Sequence, residues 1–326
     1  MEVLRDVPNL AWNRFLDSNS ESSIFQSPHL RSVFRKTTGY RPFVFAVESG
    51  DEIEALVSGA IVSSSRGALA RLSSRVVIVG GPIGNQDLFP AVLTAVDELA
   101  RNSALFSQIR NLKTPEDRSA FESVGYEWEE HLNFVVDFDQ PLEILWSRMS
   151  KARRKAIERA DNLGLQMVEL GPRDLGPCYE LLKATYSRAK VPLADRSLFS
   201  SAFELLRDSG HLWALGARSS DSLCSVRLVL RWKRTLFDWY AGSSELGRSI
   251  HADEWLVWQI LQKGVDCECA AFDFGGAGAP GSDYGPGEFK RRFGGRKIEP
   301  GRFVKTYHPW TRRVATSVYE LWRSLS

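Results

Sequence analysis

Methionine, cysteine and histidine are scarce in this 326-residue chain, which holds three, four and five of them. The cysteines (Cys178, Cys224, Cys267 and Cys269) are too few and too scattered to frame a fold of this length, which excludes a disulfide-stapled secreted domain. Cys267 and Cys269 form a C-x-C with no second cysteine or histidine pair at zinc-finger spacing, so they read as plain thiols, and no metal is expected. A dominant charge is missing too: 42 Lys+Arg against 40 Asp+Glu leave +2, which gives no chain-wide attraction to nucleic acid. No apolar run approaches the roughly 18 residues of a membrane span. The first 25 residues lack the basic-then-apolar order of a secretory signal. These absences set the expectation of a cytoplasmic protein with no transmembrane segment, for which peripheral membrane contact stays open.

What is present is ordinary globular composition, 43% apolar and 25% charged. The length favours two domains of about 150 residues each. A helix is expected around Asn9 to Asp17 and a short one ending at Gly39, then strands at Phe43 to Glu48, Ala55 to Ser64 and Arg75 to Val79. Asp87 to Arg101 has apolar residues at helical spacing with Asp87 as N-cap, and a strand near Leu132 to Phe138 closes a mixed unit, residues 1–140. The second unit, 141–326, opens with one basic helix from Leu142 to Leu163. A strand, two helices and an antiparallel meander from Leu212 to Gly242 follow, then a helix near Asp253 to Lys263. A last strand near Phe303 to Tyr307 and a helix from Pro309 to Leu325 complete it. Helices, a meander, a helix and a strand are α+β grammar, repeated twice.

The densest signal is Phe272 to Gly295, FDFGGAGAPGSDYGPGEFKRRFGG. A short apolar strand feeds a loop with six glycines between Gly275 and Gly287, and a basic aromatic turn (Phe289 to Phe293) follows. Glycines at a strand end permit close backbone approach to a ligand. Fixed positive charge beside them suits a carbonyl gaining negative charge, or a phosphate.

With the basic helix WSRMSKARRKAIERADNLGL, the meander ending YAGSS, the helix HADEWLVWQILQKG, and FDFGGAG followed by FKRRFGG, the chain resembles the Fem-type (FemABX-like) peptidyltransferases. The resemblance covers most of the chain. It implies two tandem GNAT-like (acyl-CoA N-acyltransferase) domains, each a mixed, mostly antiparallel sheet flanked by helices. It also implies amide formation on an amine acceptor: an amino acid moved from aminoacyl-tRNA onto a cell-wall or polysaccharide-linked precursor, with no tightly bound cofactor. Lys290 matches the family's Phe-Lys pair, in which the lysine stabilises the reacting carbonyl and Phe289 packs beside it. An acyl-CoA donor is the alternative, although Gly80 to Gly84 lacks the leading cation of a diphosphate-cradling loop. A non-catalytic module binding an anionic ligand is the other alternative.

Amide formation from an activated ester needs a positioned amine, a proton acceptor and oxyanion stabilisation. Asp273, between Phe272 and Phe274, is the candidate base or amine-orienting group, or else a cap of the glycine loop. Gly275, Gly276 and Gly278 either line the acceptor channel or serve turn geometry alone. Arg153 and Arg154, in a helix carrying also Lys151, Lys155 and Arg159, suit phosphate contact or a solvated face. Arg227, Asp238 and Tyr240 lie mid-strand, and plain alternation puts Asp238 and Tyr240 on one face, for the acceptor or for buried pairing. His251 and Asp253 either form a base pair or, the favoured reading, Asp253 caps the following helix.

Overall fold

The computed structural model describes residues 2–63, 73–281 and 285–308. The helix expected over 309–325 lies outside the described residues. The chain forms two compact units: Met1–Glu130 with the segment from Pro300, and His131–Glu299.

The first unit starts with β1 (Val3–Leu4), α1 (Asn9–Ser18) and α2 (Pro28–Arg35), the latter capped by Ser27 with Pro28 at its first position. The hairpin β2 (Tyr40–Ser49) and β3 (Glu52–Ser63) leads to β4 (Ser74–Val79), whose SRVVIV buries every second residue. Then come β5 (Ile83–Gly84), α3 (Phe89–Ala100), β6 (Phe106–Arg110), α4 (Ser119–Glu122) and β7 (Glu127–Glu129). Asn85, not Asp87, caps the turn into α3: its side-chain oxygen accepts from the Asp87 N–H at 3.1 Å. Val92, Leu93 and Val96 of α3 share one buried core with Phe43, Phe45 and Ile78 of the sheet.

In the second unit β8 (Asn133–Asp137) is followed by two helices where one was expected, α5 (Leu142–Arg148) and α6 (Lys151–Asp161). Ser150 breaks the run: its hydroxyl accepts from Arg153 N at 3.2 Å as the N-cap of α6. Next are β9 (Gln166–Glu169), α7 (Leu175–Arg188), α8 (Arg196–Leu206) and the meander β10 (Leu212–Ser219), β11 (Ser222–Trp232) and β12 (Thr235–Ser243). After them come α9 (Glu245–Ser249), α10 (Ala252–Asp266), β13 (Ala271–Gly276), α11 (Gly285–Arg291) and β14 (Arg296–Ile298). The sheet runs β14-β8-β13-β12-β11-β10-β9, antiparallel except where β12 and β13 lie parallel. β11 is an interior strand and buries everything from Cys224 to Leu230, Arg227 included.

β15 (Arg302–Thr306) returns to the first sheet, where the order is β1-β2-β3-β4-β6-β15-β7 with β5 on β3. The compact units therefore differ from a division at residue 140. β8 belongs to the second sheet, and β15 pairs with β6 and β7 in the first. Backbone pairing, which composition does not display, decides both memberships. Both sheets are mixed and flanked by helices. No helix among the described residues is long and apolar enough to cross a membrane.

Candidate active site

The parallel pair β12/β13 is the origin of the site. It is hydrogen-bonded only over Thr235↔Ala271, Leu236↔Phe272 and Phe237↔Asp273. Beyond that point both strands depart from regularity. β12 holds Asp238, Trp239 and Tyr240 against only Val229 and Leu228 of β11, an extra residue and so a bulge. β13 turns at Gly275, whose φ of +69° favours glycine. A Cβ at Gly275 would come within 3.3 Å of the Phe237 ring and 3.7 Å of the Asp238 carbonyl oxygen, so the two departures adjoin.

Asp273, 7% exposed, is the last residue of β13 paired to β12. Its Oδ1 accepts from Asn133 Nδ2 and from Gly275 N, each at 2.7 Å. It therefore does cap the glycine turn, and Oδ2 makes no hydrogen bond among the described residues. Burial pushes its pKa up to about 6 against the opposing pull of these donors and of Lys290. Lys290, on α11, donates from Nζ to the carbonyls of Gly276 at 2.8 Å and Gly275 at 3.3 Å. Burial takes it down to about 8, although Asp238 and Asp273 pull it upward. Arg291 and Arg292 turn the other way and pair with Glu288 at 2.6 and 2.8 Å, so of the KRR cluster only Lys290 enters the site.

Arg227 reaches this place from β11. Its guanidinium binds Asp238 through Nη1 and Asp253 through Nε and Nη2, at 3.1 and 3.0 Å for the latter pair. Burial alone would lower its pKa, and the two carboxylates outweigh that, so the net direction is up. Asp253 is thereby not the cap of α10. That place is held by His251 in a left-handed conformation (φ 59°), and Asp253 turns inward to Arg227 and the Ser225 hydroxyl. Asp238 keeps one carboxylate oxygen, Oδ1, buried with no hydrogen-bond partner among the described residues.

Arg153 is not a phosphate contact. It is 5% exposed, pairs with Glu254 at 2.9 Å, donates to the Phe289 carbonyl at 3.1 Å, and lies over the rings of Phe289 and Phe293 at 4.3 and 4.5 Å. It thus fixes the turn of chain that carries Lys290. Arg154 folds back on the end of α5, donating to the carbonyls of Ser147 (2.9 Å) and Met149 (2.6 Å), and is spoken for as a C-terminal cap. Lys151, Lys155 and Arg159 remain exposed.

Tyr240 and Asp238 do not share a face of β12. The bulge reverses alternation, so Tyr240 shares the face of Leu228 while Asp238 shares that of Val229 and Arg227. Tyr240 packs on Phe199 (ring centroids 4.8 Å) and Tyr186 (5.7 Å), on the α7/α8 side. Gly278 (φ +88°) accepts from Leu132 N at 2.8 Å and ties the loop to the start of β8, whereas Gly276 is exposed beside Lys290. The structure so assembles Asp273, Lys290, Phe289, Gly275, Gly276, Asp238, Arg227 and Arg153. Sequence reasoning missed Asn133 and Glu254. An asparagine at a strand start and a glutamate in a helix's first turn carry no signal of distant partners.

Residues 147–291 match the model of the acetyltransferase (GNAT) domain family, a span that contains Lys290, Asp273 and the bulge. No curated protein matches the chain by sequence. Among solved structures, FemX matches with a TM-score of 0.73 at 14% identity, over 97% of this chain and 100% of that one. The C-terminal domain of a putative lysylphosphatidylglycerol synthetase from Agrobacterium fabrum matches at 0.60, with 14% identity and 95% of each chain covered. A tandem GNAT protein from the clavulanic acid biosynthesis pathway gives 0.59 at 12% identity, over 94% and 98%. The chain is thus a tandem-domain protein of GNAT fold, similar to the FemABX-like proteins, and an acyltransferase. The family match across the site supports acyl transfer in general.

Proposed function

We propose that the protein transfers an amino acid from aminoacyl-tRNA to an amine of a cell-wall or polysaccharide-linked precursor, in the cytoplasm, with Lys290 and Asp273 as its catalytic residues. The observation that carries this is Lys290 Nζ, held by two carbonyls of the glycine turn with its third N–H open among the described residues, beside a buried carboxylate. Asp273 Oδ2 takes a proton from the acceptor ammonium. The freed nitrogen pair attacks the ester carbonyl, the C–N bond forms, and the π pair moves onto oxygen, where the open N–H of Lys290 meets it. Collapse restores the carbonyl, breaks the C–O bond to the tRNA ribose, and the leaving oxygen takes the second amine proton. Resemblance in fold to FemX and to a protein named for lysylphosphatidylglycerol synthesis supports an aminoacyl donor.

Acyl-CoA is the second reading, favoured by the acetyltransferase family match across the site. Thermal shift separates the donors, because a ligand of the folded state raises its midpoint. Stabilisation by acetyl-CoA but not by charged tRNA would replace the aminoacyl donor. In single-turnover transfer to a peptide-bearing wall precursor, Lys290→Ala is expected to slow the reaction about a hundredfold with the fold kept. Equal rates in mutant and parent would remove Lys290 from the chemistry.

A further inference from the structure

Asp238 has a feature that carbonyl activation by Lys290 does not explain. Its side chain is 8% exposed; Oδ2 is bound to Arg227, and Oδ1 has no partner among the described residues. A buried carboxylate oxygen left unmatched is costly, and such costs persist where a ligand completes the set. Neighbouring groups do not fill the gap. Arg227 spends its Nε and both of its terminal nitrogens on Asp238 and Asp253. Lys290 gives two N–H groups to the glycine carbonyls. Charge points the same way: with Arg153 matched by Glu254, Asp238, Asp253 and Asp273 stand against Arg227 and Lys290, and the place is one cation short when all are ionised.

We propose that Asp238 Oδ1 receives the primary ammonium of the acceptor, and that Arg227, anchored by Asp253, holds the carboxylate rigid for that purpose. The bulge in β12 makes this geometry: without the extra residue the strand would keep Asp238 and Tyr240 on one face. Asp238 is a binding and positioning residue, and it lies beside the turn on which Lys290 acts on the donor. The site selects an amine over a hydroxyl, because a hydroxyl offers Oδ1 one neutral hydrogen bond where an ammonium offers a charge-assisted one. The inference rests on the transfer reading but is tested apart from it.

The test is ethylammonium binding to the full chain, followed by ligand-observed NMR, with ethanol as the uncharged isostere. Saturable binding of ethylammonium, weakened about tenfold or more by Asp238→Asn and not shared by ethanol, is expected. Equal binding by the variant, equal binding of ethanol, or no binding to the parent would overturn the proposal. Should Asp238→Asn not fold, a crystal of the parent soaked in ethylammonium answers the question: density within hydrogen-bond distance of Oδ1 supports it, and density elsewhere or none overturns it. Nα-acetyl-lysine amide and glucosamine compete as peptide and sugar amines; the one displacing ethylammonium at lower concentration identifies the acceptor class, and displacement by neither overturns the acceptor role. Failure of transfer chemistry appears separately, as unchanged turnover in Lys290→Ala.

Discussion

A lysine faced by carboxylates ought to hold its proton tightly, yet Lys290 titrates near 8 because removing water from its ammonium outweighs Asp238 and Asp273. This has a consequence for stability. Between about 8 and the ordinary 10.5 the folded chain has released a proton that the unfolded chain still binds, so stability rises with pH across that window. The slope is at most about 1.4 kcal/mol per pH unit for one group, and less for the part of the side chain that water reaches. Lys290→Met removes this contribution. In urea unfolding at pH 7, 8, 9 and 10 the parent is expected to gain stability relative to the mutant from pH 8 upward. A difference between the two that stays constant over that range would contradict the assignment. Asp273 works in the opposite sense lower down: its folded value is raised to about 6, so its ionisation removes stability as pH rises from about 4 to 6.

Placing these side chains is the work of short elements, and α11 is the one on which most depends. Arg153 holds the Phe289 carbonyl, Ser150 N donates to the Arg292 carbonyl at 3.0 Å, and Gly294 turns away at φ +75° against the Arg148 carbonyl. A Cβ at Gly294 would lie under 3 Å from that backbone oxygen, which has no flexible end to move aside. Gly294→Ala is expected to cost about 2–4 kcal/mol in urea unfolding and to slow transfer by loosening Lys290. A cost below about 0.5 kcal/mol would show the turn to be pliable. The same elements show what the sequence can and cannot disclose. Glycines, polar turns and apolar periodicity located the meander, α10, β13 and the Phe289–Lys290 turn, because those signals are local. The break at Ser150 was hidden, since Lys-Ala-Arg-Arg continues a good helical run and N3 carries Arg153 in place of the Glu or Gln of a capping box. Burial of Arg153 among exposed cations was equally unmarked. The bulge at 238–240 was invisible because polar and apolar residues go on alternating through it, while the backbone does not.

At the scale of the whole molecule, the sheets do not follow the order of the chain. β15 lies between β6 and β7, pairing Phe303 with Ile109 on one side and Trp128 on the other, so residues up to 130 lack an interior strand of their own sheet. Lys305 strengthens the seam by bonding Asp97 and the Val124 carbonyl, and Tyr307 donates to Asp97 at 2.6 Å. The second unit has the reverse property. From β8 to β14 it holds every strand of its sheet, a core built on Phe272, Phe274, Leu256 and Ile260, and all the site residues. A chain of residues 131–299 is therefore expected to unfold cooperatively in urea and to bind ethylammonium as the full protein does. One of residues 1–130 is expected to show no cooperative transition, because its β7 has lost its partner and Asp97 its cation. Starting the second unit at residue 141 removes β8, which leaves β13 and β14 without the strand between them and Asp273 without Asn133. Cooperative folding of 141–299 equal to that of 131–299 would mean that β8 contributes little, and that the site's support lies with β12 and α11 alone.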